Sequence, residues 1–299
     1  MSATEKLLFI YNPQAGKGQV RARIAAFLDI FTKDDWLVTV YPTQGPGDAR
    51  RVAGKIGGKF DRIICCGGDG TLHETVNGMM KLERRPELGY IPAGTTNDFA
   101  RNLKLPQGYE RRAAVAAAGV ARPCDIGLFN GEHFVYVAAF GAFTDVAYDT
   151  PQQFKNMFGH FAYLLEGMTR LGSIESYNLT VEHDSGVEEG EYIFGMVSNT
   201  ISIGGLIGLP AKEVALDDGL FEVILVRKPK NALELQGVMA ALMKQKTDPA
   251  CGVTGFHSAH LKVQCDRALP WTLDGEYGGN PEVAEISACE RAVSIVYGE

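Results

Sequence analysis

Cysteine is scarce: the chain has six, at positions 65, 66, 124, 251, 265 and 289, and no two form a C-x-x-C pair. That pattern excludes a zinc ribbon and a disulfide framework, so reduced and mostly buried thiols are expected. Long hydrophobic runs are missing too. The longest, Val135 to Phe143 and Ala113 to Val120, fall far below the roughly 20 residues of a spanning helix. The apolar run before Asn12 and Pro13 has only five residues, too few for a signal-peptide core. It reads as a first strand, and the expected location is cytoplasmic, with any membrane contact peripheral and at the inner face.

Several catalytic signatures are absent as well. No G-x-S-x-G occurs, which removes the simplest serine hydrolase. The Walker pattern fails because Gly16-Lys17 is followed by Gly18. A dinucleotide fingerprint fails because His73 occupies the third glycine position after Gly68 and Gly70. His73-Glu74-Thr75-Val76-Asn77 lacks the second histidine of a zinc helix and reads as helix surface and packing. His257-x-x-His260 has no acidic or thiol partner nearby in sequence, so it is no metal motif. There is no internal repeat and no low-complexity tract.

What is present is an ordinary globular mix, 45% hydrophobic and 22% charged, over a length that favours two domains. Glycine is enriched, 35 residues in 299, or about 12% against a usual value near 7%. Many positions must therefore turn tightly or let something approach the backbone. The net charge of −7 is uneven: +5 up to Asp125 and −12 beyond it. A basic first half suits an anionic ligand, and the acidic second half speaks against nucleic acid.

From Lys6 to about Ile91, KLLFIY, WLVTVY, DRIICC and the shorter LGYI read as strands. Val20–Phe31, Asp48–Ile56 and Thr71–Lys81 carry helical spacing between them. Strand and helix in alternation imply a parallel sheet covered on both faces, with ligands at the loops leaving the strand C-termini. After Arg122 the pattern turns β-rich, with hairpin signals at Phe129-Asn130-Gly131-Glu132 and Asp184-Ser185-Gly186. Helical stretches at Phe154–Leu171 and Asn231–Lys244 interrupt it.

The strongest motif is Cys66-Gly67-Gly68-Asp69-Gly70-Thr71, between an apolar strand and an apolar-periodic helix. Such a turn offers backbone N–H groups and a helix N-terminus to phosphate. Asp69 would repel phosphate unless Mg²⁺ bridges the two or the carboxylate accepts a proton from an attacking hydroxyl. Pro92-Ala93-Gly94-Thr95-Thr96-Asn97-Asp98 repeats that logic, with Thr95 or Thr96 for phosphate and Asn97 or Asp98 to cap the following helix. Asn12-Pro13-Gln14-Ala15-Gly16-Lys17-Gly18 offers a third backbone cradle. In the second half, Leu216-Asp217-Asp218-Gly219-Leu220 and Leu273-Asp274-Gly275-Glu276 are acidic turns, able to bind a hard cation or supply a general base.

Together these segments resemble the bacterial diacylglycerol kinase and related lipid kinase family, which shares its nucleotide domain with sphingosine kinases. The resemblance runs from Tyr11-Asn12-Pro13 through GGDGTLHETVNG, PAGTTNDFAR and VALDDGLFEV to WTLDGE. It implies a three-layer α/β nucleotide-binding domain of the NAD kinase and phosphofructokinase kind over 1–123. An antiparallel β-sandwich would follow over 124–299, with 291–299 returning to the first domain and the active site in the cleft between them. It further implies ATP and Mg²⁺, a lipid substrate at a membrane surface, no nucleic acid, and leaves a homodimer open. Asn12, Pro13, Gln14, Ala15, Gly16, Thr43, Gly67, Gly68, Asp69, Gly70, Thr71, Thr95, Asn97 and Asp98 would serve nucleotide and phosphates. Glu276 would be the base, with Asp69 catalytic beside it, and Asp218 with the carbonyls of Ala215 and Leu220 would hold a structural Mg²⁺. The alternatives are a nonenzymatic regulator on the same fold, or a kinase for a soluble acceptor such as NAD. Ser202–Pro210 is more apolar than the family pattern and bears on the identity of the acceptor.

Overall fold

Short strands with almost no polar alternation must be covered on both faces, which is how the N-terminal sheet is built. The computed structural model describes residues 5–141, 175–199, 215–244 and 247–298; the expected helix at 154–171 and the apolar segment 202–210 lie outside them. Strands β1 (Lys6–Tyr11), β2 (Leu37–Pro42), β3 (Arg62–Gly67) and β4 (Glu87–Pro92) pair in parallel in the order β2-β1-β3-β4.

Side-chain alternation divides β1, β3 and β4 between two helical layers, whereas the edge strand β2 is largely exposed. Leu7 and Phe9 share a core with Ile64 and Cys66 and with Phe27 and Phe31 of α1 (Gln19–Lys33). Ala113, Ala116 and Ala117 of α4 (Tyr109–Ala118) close that layer. Phe9 meets Phe27 and Phe31 edge-on at 6.0 and 5.3 Å, a favoured aromatic geometry. α2 (Asp48–Ile56) and α3 (Asp69–Met79) complete the α/β unit.

The chain divides into two units, Met1–Cys124 with Arg291–Glu299, and Asp125–Glu290. The second is an antiparallel β unit. β5 (Ala121–Phe129) and β6 (Glu132–Phe134) meet at Asn130-Gly131, both with positive φ, as the hairpin signal predicts. β8 (Tyr177–His183) and β9 (Gly186–Ser198) close on Asp184-Ser185. Along its length β9 changes partner, from β8 over Gly186–Tyr192 to β7 (Val137–Gly141) over Phe194–Ser198. A strand shared in this way lets two groups of strands enclose one core, into which Phe140, Leu179, Val223, Val263, Trp271 and Ile286 all point. The remaining strands are β10 (Phe221–Arg227), β11 (Val253–Ser258), β12 (His260–Cys265), β13 (Trp271–Leu273), β14 (Glu276–Gly279) and β15 (Val283–Val296). α5 (Ala232–Met243) starts where Asn231 accepts the Glu234 N–H at 2.9 Å.

The β13–β14 turn is held from outside itself. Asp274, buried, accepts the backbone N–H groups of Val135 at 2.7 Å, Tyr136 at 2.9 Å and Val137 at 3.2 Å. Its own N–H donates to the Val137 carbonyl at 2.8 Å. Among the described residues no helix is long and apolar enough to cross a membrane.

Two outcomes follow from burial. Cys65, Cys66 and Cys124 are buried, and burial pushes the Cys65 thiol up to about 12; titration with a thiol-disulfide reagent at pH 8 should label none of them before denaturant is added. Rapid native labelling of Cys65 would contradict that packing. Replacing Asp274 with Ala strands three buried donors, so denaturant unfolding should show a loss of about 3 kcal/mol. The same change at exposed Glu189 should cost roughly 0.5 kcal/mol or less, and equal losses would refute this difference.

Candidate active site

All four strands of the first unit run the same way, so their following loops emerge at one sheet edge. In spatial order these are residues 43–47, 12–18, 67–70 and 92–98. The chain winds from β1 outward to β2, then returns to the other side of β1 as β3. Ligands in open α/β sheets bind at such a reversal. It lies here between the Asn12 loop and the Gly67–Asp69 turn, which are stitched together by the Asn12 N–H on the Cys66 carbonyl at 2.9 Å.

The Asn12 loop is set by its first residue. The Asn12 side chain accepts the Gln14 N–H at 2.9 Å, and its carbonyl accepts Ala15 N–H at 3.1 Å. Pro13 fills the turn between them, Ala15 is buried, and Gly16 and Lys17 both take left-handed backbone conformations. Thr43 is fixed at the neighbouring strand end, its N–H on the Tyr11 carbonyl at 2.9 Å.

The turn after β3 and the loop after β4 touch backbone to backbone. A Cβ on Gly94 would lie 2.6 Å from the Gly68 Cα, so no side chain fits at that position. Across this contact Asp69, the first residue of α3, reaches the other loop. Its Oδ2 accepts Thr96 Oγ at 3.3 Å and the Asp98 N–H at 3.1 Å. Asp98 is buried, with Arg101 Nη2 3.8 Å from its carboxylate. Gly70 and Thr71 form the first turn of α3, which has Gly68 at its N-cap position. Tyr90 lies beneath, its hydroxyl donating to the Gly67 carbonyl at 3.3 Å. Burial, and next the charge of Asp69, push its phenol well above the usual range.

Asn97 is spent on its own loop: Oδ1 accepts the Gly94 N–H at 2.7 Å and Nδ2 donates to the Gly94 carbonyl at 2.8 Å. The expected side-chain cap on the next turn, Phe99–Arg101, is not formed. Thr95 is exposed, whereas Thr96 is the hydroxyl that meets Asp69.

In the second unit, the two acidic turns are joined by buried polar groups that sequence reasoning missed. Asp125, fully buried, accepts the Gly219 N–H at 2.6 Å, and its own N–H donates to the Leu216 carbonyl at 2.7 Å. Asn199 donates its side-chain N–H to the Asp125 carbonyl at 2.8 Å and its backbone N–H to Tyr136 O at 3.0 Å. Tyr136 in turn meets the Asp274 carboxylate. Thus the turn bearing Asp218 and the turn bearing Glu276 belong to one hydrogen-bonded chain. Asp218 Oδ1 accepts the Leu220 N–H at 3.0 Å, and Asp218 and Glu276 are both exposed. The only advance signal for Asp125 was an acid in an apolar strand.

Among the described residues no three His, Cys, Asp or Glu side chains gather as a metal-binding group. The Leu216–Leu220 turn offers the carboxylates of Asp217 and Asp218 and main-chain carbonyls, a sparse all-oxygen set that suits Mg²⁺ because that ion keeps several waters. The two histidines of H-x-x-H part company: His257 Nε2 lies 4.0 Å from Glu222, and His260 Nδ1 lies 3.5 Å from Asp184. His73 and Asn77 are buried in α3, the packing part of the expected surface and packing, while Glu74 beside them is partly exposed.

A family model described as the diacylglycerol kinase catalytic domain matches residues 6–129. The chain is 37% identical over 272 residues to a diacylglycerol kinase of Bacillus subtilis (strain 168), spanning 90% of this chain and 89% of that one. It is 35% identical over 281 residues to a diacylglycerol kinase of Staphylococcus aureus (strain MRSA252), spanning 90% and 85%. A crystal structure of a diacylglycerol kinase from Bacillus anthracis str. Sterne shares the fold at TM-score 0.77 and 24% identity, over 100% of this chain and 98% of that one. The α/β unit followed by an antiparallel β unit is thus the architecture of these proteins, and the chain belongs to the diacylglycerol kinase family.

Proposed function

We propose that this chain transfers the terminal phosphoryl group of ATP, with Mg²⁺, to the hydroxyl of a lipid at a membrane surface. Diacylglycerol is the acceptor best supported, by the names of the relatives, and phosphatidic acid is then the product. The observation that carries the reading is the Asp69 carboxylate at the β1/β3 reversal, braced by Thr96 and the Asp98 N–H. An acid fixed among glycine-rich turns is useless for holding phosphate alone. It is useful where a cation and a transferring phosphoryl group meet.

Backbone N–H groups of the Asn12–Gly16 loop and of the Gly67–Thr71 turn bind the phosphates, with Thr95 at their margin. Thr43, at the far end of the row, faces the nucleoside. Asn97 shapes the loop that carries Asp98. Asp69 and Asp98 would hold the Mg²⁺ that accompanies ATP, and Asp218 with the carbonyls of Ala215 and Leu220 would hold a second, structural one. When bound, Mg²⁺ supplies positive charge against the phosphate oxygens. Glu276 takes the proton from the lipid hydroxyl as its oxygen bonds to the terminal phosphorus, and ADP leaves with the electron pair of the broken P–O bond.

Phosphoryl transfer from ATP should be measured with Mg²⁺ against diacylglycerol, a sphingoid base, ceramide, phosphatidylglycerol and NAD. The expected result is a lipid product whose formation falls roughly 10²–10⁴-fold in Asp69→Asn and in Glu276→Gln, with far-ultraviolet circular dichroism unchanged. Both variants within a few-fold of the parent would overturn the roles assigned to them. Transfer only to a soluble acceptor would overturn the lipid reading.

A further inference from the structure

The segment that carries Asp98 runs from the end of β4 at Pro92, through the short turn Phe99–Arg101, to the start of α4 at Tyr109. One side chain reaches both ends of it. Arg112, half-buried in the first turn of α4, donates from Nη1 to the Pro92 carbonyl at 3.2 Å and from Nε to the Pro106 carbonyl at 2.9 Å. Both acceptors are main-chain groups. A single guanidinium therefore ties the two ends of 92–106 together, with Thr96, Asn97 and Asp98 in the stretch between, and closes that stretch as a compact loop.

The helix behind this tie is itself fastened at both ends. At its start Glu110 meets Arg23 of α1 at 2.9 Å. At its end the Ala117 carbonyl accepts Trp36 Nε1 at 3.2 Å, and Arg62 donates to the carbonyls of Ala116 and Ala117. The first turn of α4 also bears on the Asn12 loop, where a Cβ on Gly16 would lie 2.8 Å from the Tyr109 hydroxyl. Arg112 thus refers the Asp98 segment to a fixed frame.

Inside the segment Asn97 holds Gly94, and the Leu103 carbonyl accepts the Gly298 N–H at 2.8 Å. The two bonds that reach out of it to Asp69, from Thr96 Oγ at 3.3 Å and the Asp98 N–H at 3.1 Å, are longer than the usual optimum. A small displacement of the segment would part them. We propose that Arg112 is a positioning residue for phosphoryl transfer: by clamping both ends of 92–106 it keeps Thr96 and the Asp98 N–H on the Asp69 carboxylate. The inference rests on the ATP reading given above. Arg112 acts on Asp69 only through the segment, and the role needs a planar fork, because an ammonium has one nitrogen to offer two separate carbonyls.

The test compares the parent with Arg112→Met, which keeps the apolar stem, and Arg112→Lys, which keeps the charge. Amide hydrogen exchange is followed on the ligand-free chain, and steady-state transfer from ATP to diacylglycerol is measured with Mg²⁺. In both variants the amides of 93–98 should exchange about tenfold faster, with those of β1 and β3 unchanged. The kcat should fall roughly tenfold to a hundredfold while KM for diacylglycerol moves less than about twofold. Faster exchange throughout the first unit would mean a general loosening and overturns the proposal, as does unchanged exchange at 93–98 or an unchanged kcat. Full activity in Arg112→Lys would show that the charge suffices without the two-point clamp, and overturns it as well. A parent that transfers no phosphoryl group overturns the ATP reading and this role with it, and the exchange rates then show separately whether Arg112 holds the segment.

Discussion

The first unit depends on a contact that has no side chains in it, the approach of Gly68 and Gly94 at the ends of neighbouring parallel strands. Because nothing separates the two loops, a single aspartate can belong to both. Asp69 begins a helix in one loop and accepts a hydroxyl and an amide from the other. A larger residue at Gly94, whose Cβ would lie 2.6 Å from the Gly68 Cα, would force the loops apart and strain both hydrogen bonds. The surrounding sheet is what makes this contact rigid. β3 and β4 are buried over nearly all their length, and Tyr90 fixes the Gly67 carbonyl from below.

The second unit uses a different device for a similar end. Its two acidic turns are exposed at their carboxylates, yet each is anchored by a buried group: Asp125 beneath the Asp218 turn and Asp274 beneath the Glu276 turn. Buried charges of this kind are tolerated only when fully hydrogen-bonded. The three amides on Asp274 meet that requirement, and Asn199 and Tyr136 connect the two anchors. The exposed carboxylates thus sit on turns whose rigidity the buried ones supply.

The local part of this organisation could be read in the chain. The four parallel strands, α1 to α3, and the hairpins at Asn130-Gly131 and Asp184-Ser185 each follow from hydrophobic period or turn chemistry within a few residues. The helix Tyr109–Ala118 was not anticipated, because its alanine-rich run lacks the polar spacing that separates an amphipathic helix from a buried strand. Asp125, Asn199 and Arg112 were missed for another reason. Their partners lie far away along the chain, as with Asp125 and Gly219 or Arg112 and Pro92, and no spacing rule reaches that far. Asn97 shows the converse: its motif draws attention to it, and its amide is used on its own loop, by Gly94, and on the Tyr90 hydroxyl beneath.

The direct measurement is a crystal structure of this chain with a non-hydrolysable ATP analogue and Mg²⁺. The phosphates are expected between the Asn12–Gly16 loop and the Gly67–Thr71 turn, with the terminal group nearest Asp69 and the nucleoside toward Thr43. Phosphates seated on the α2 N-terminus, or a nucleotide running in the opposite sense along the row of loops, would contradict the assignment of Asp69 to phosphoryl transfer.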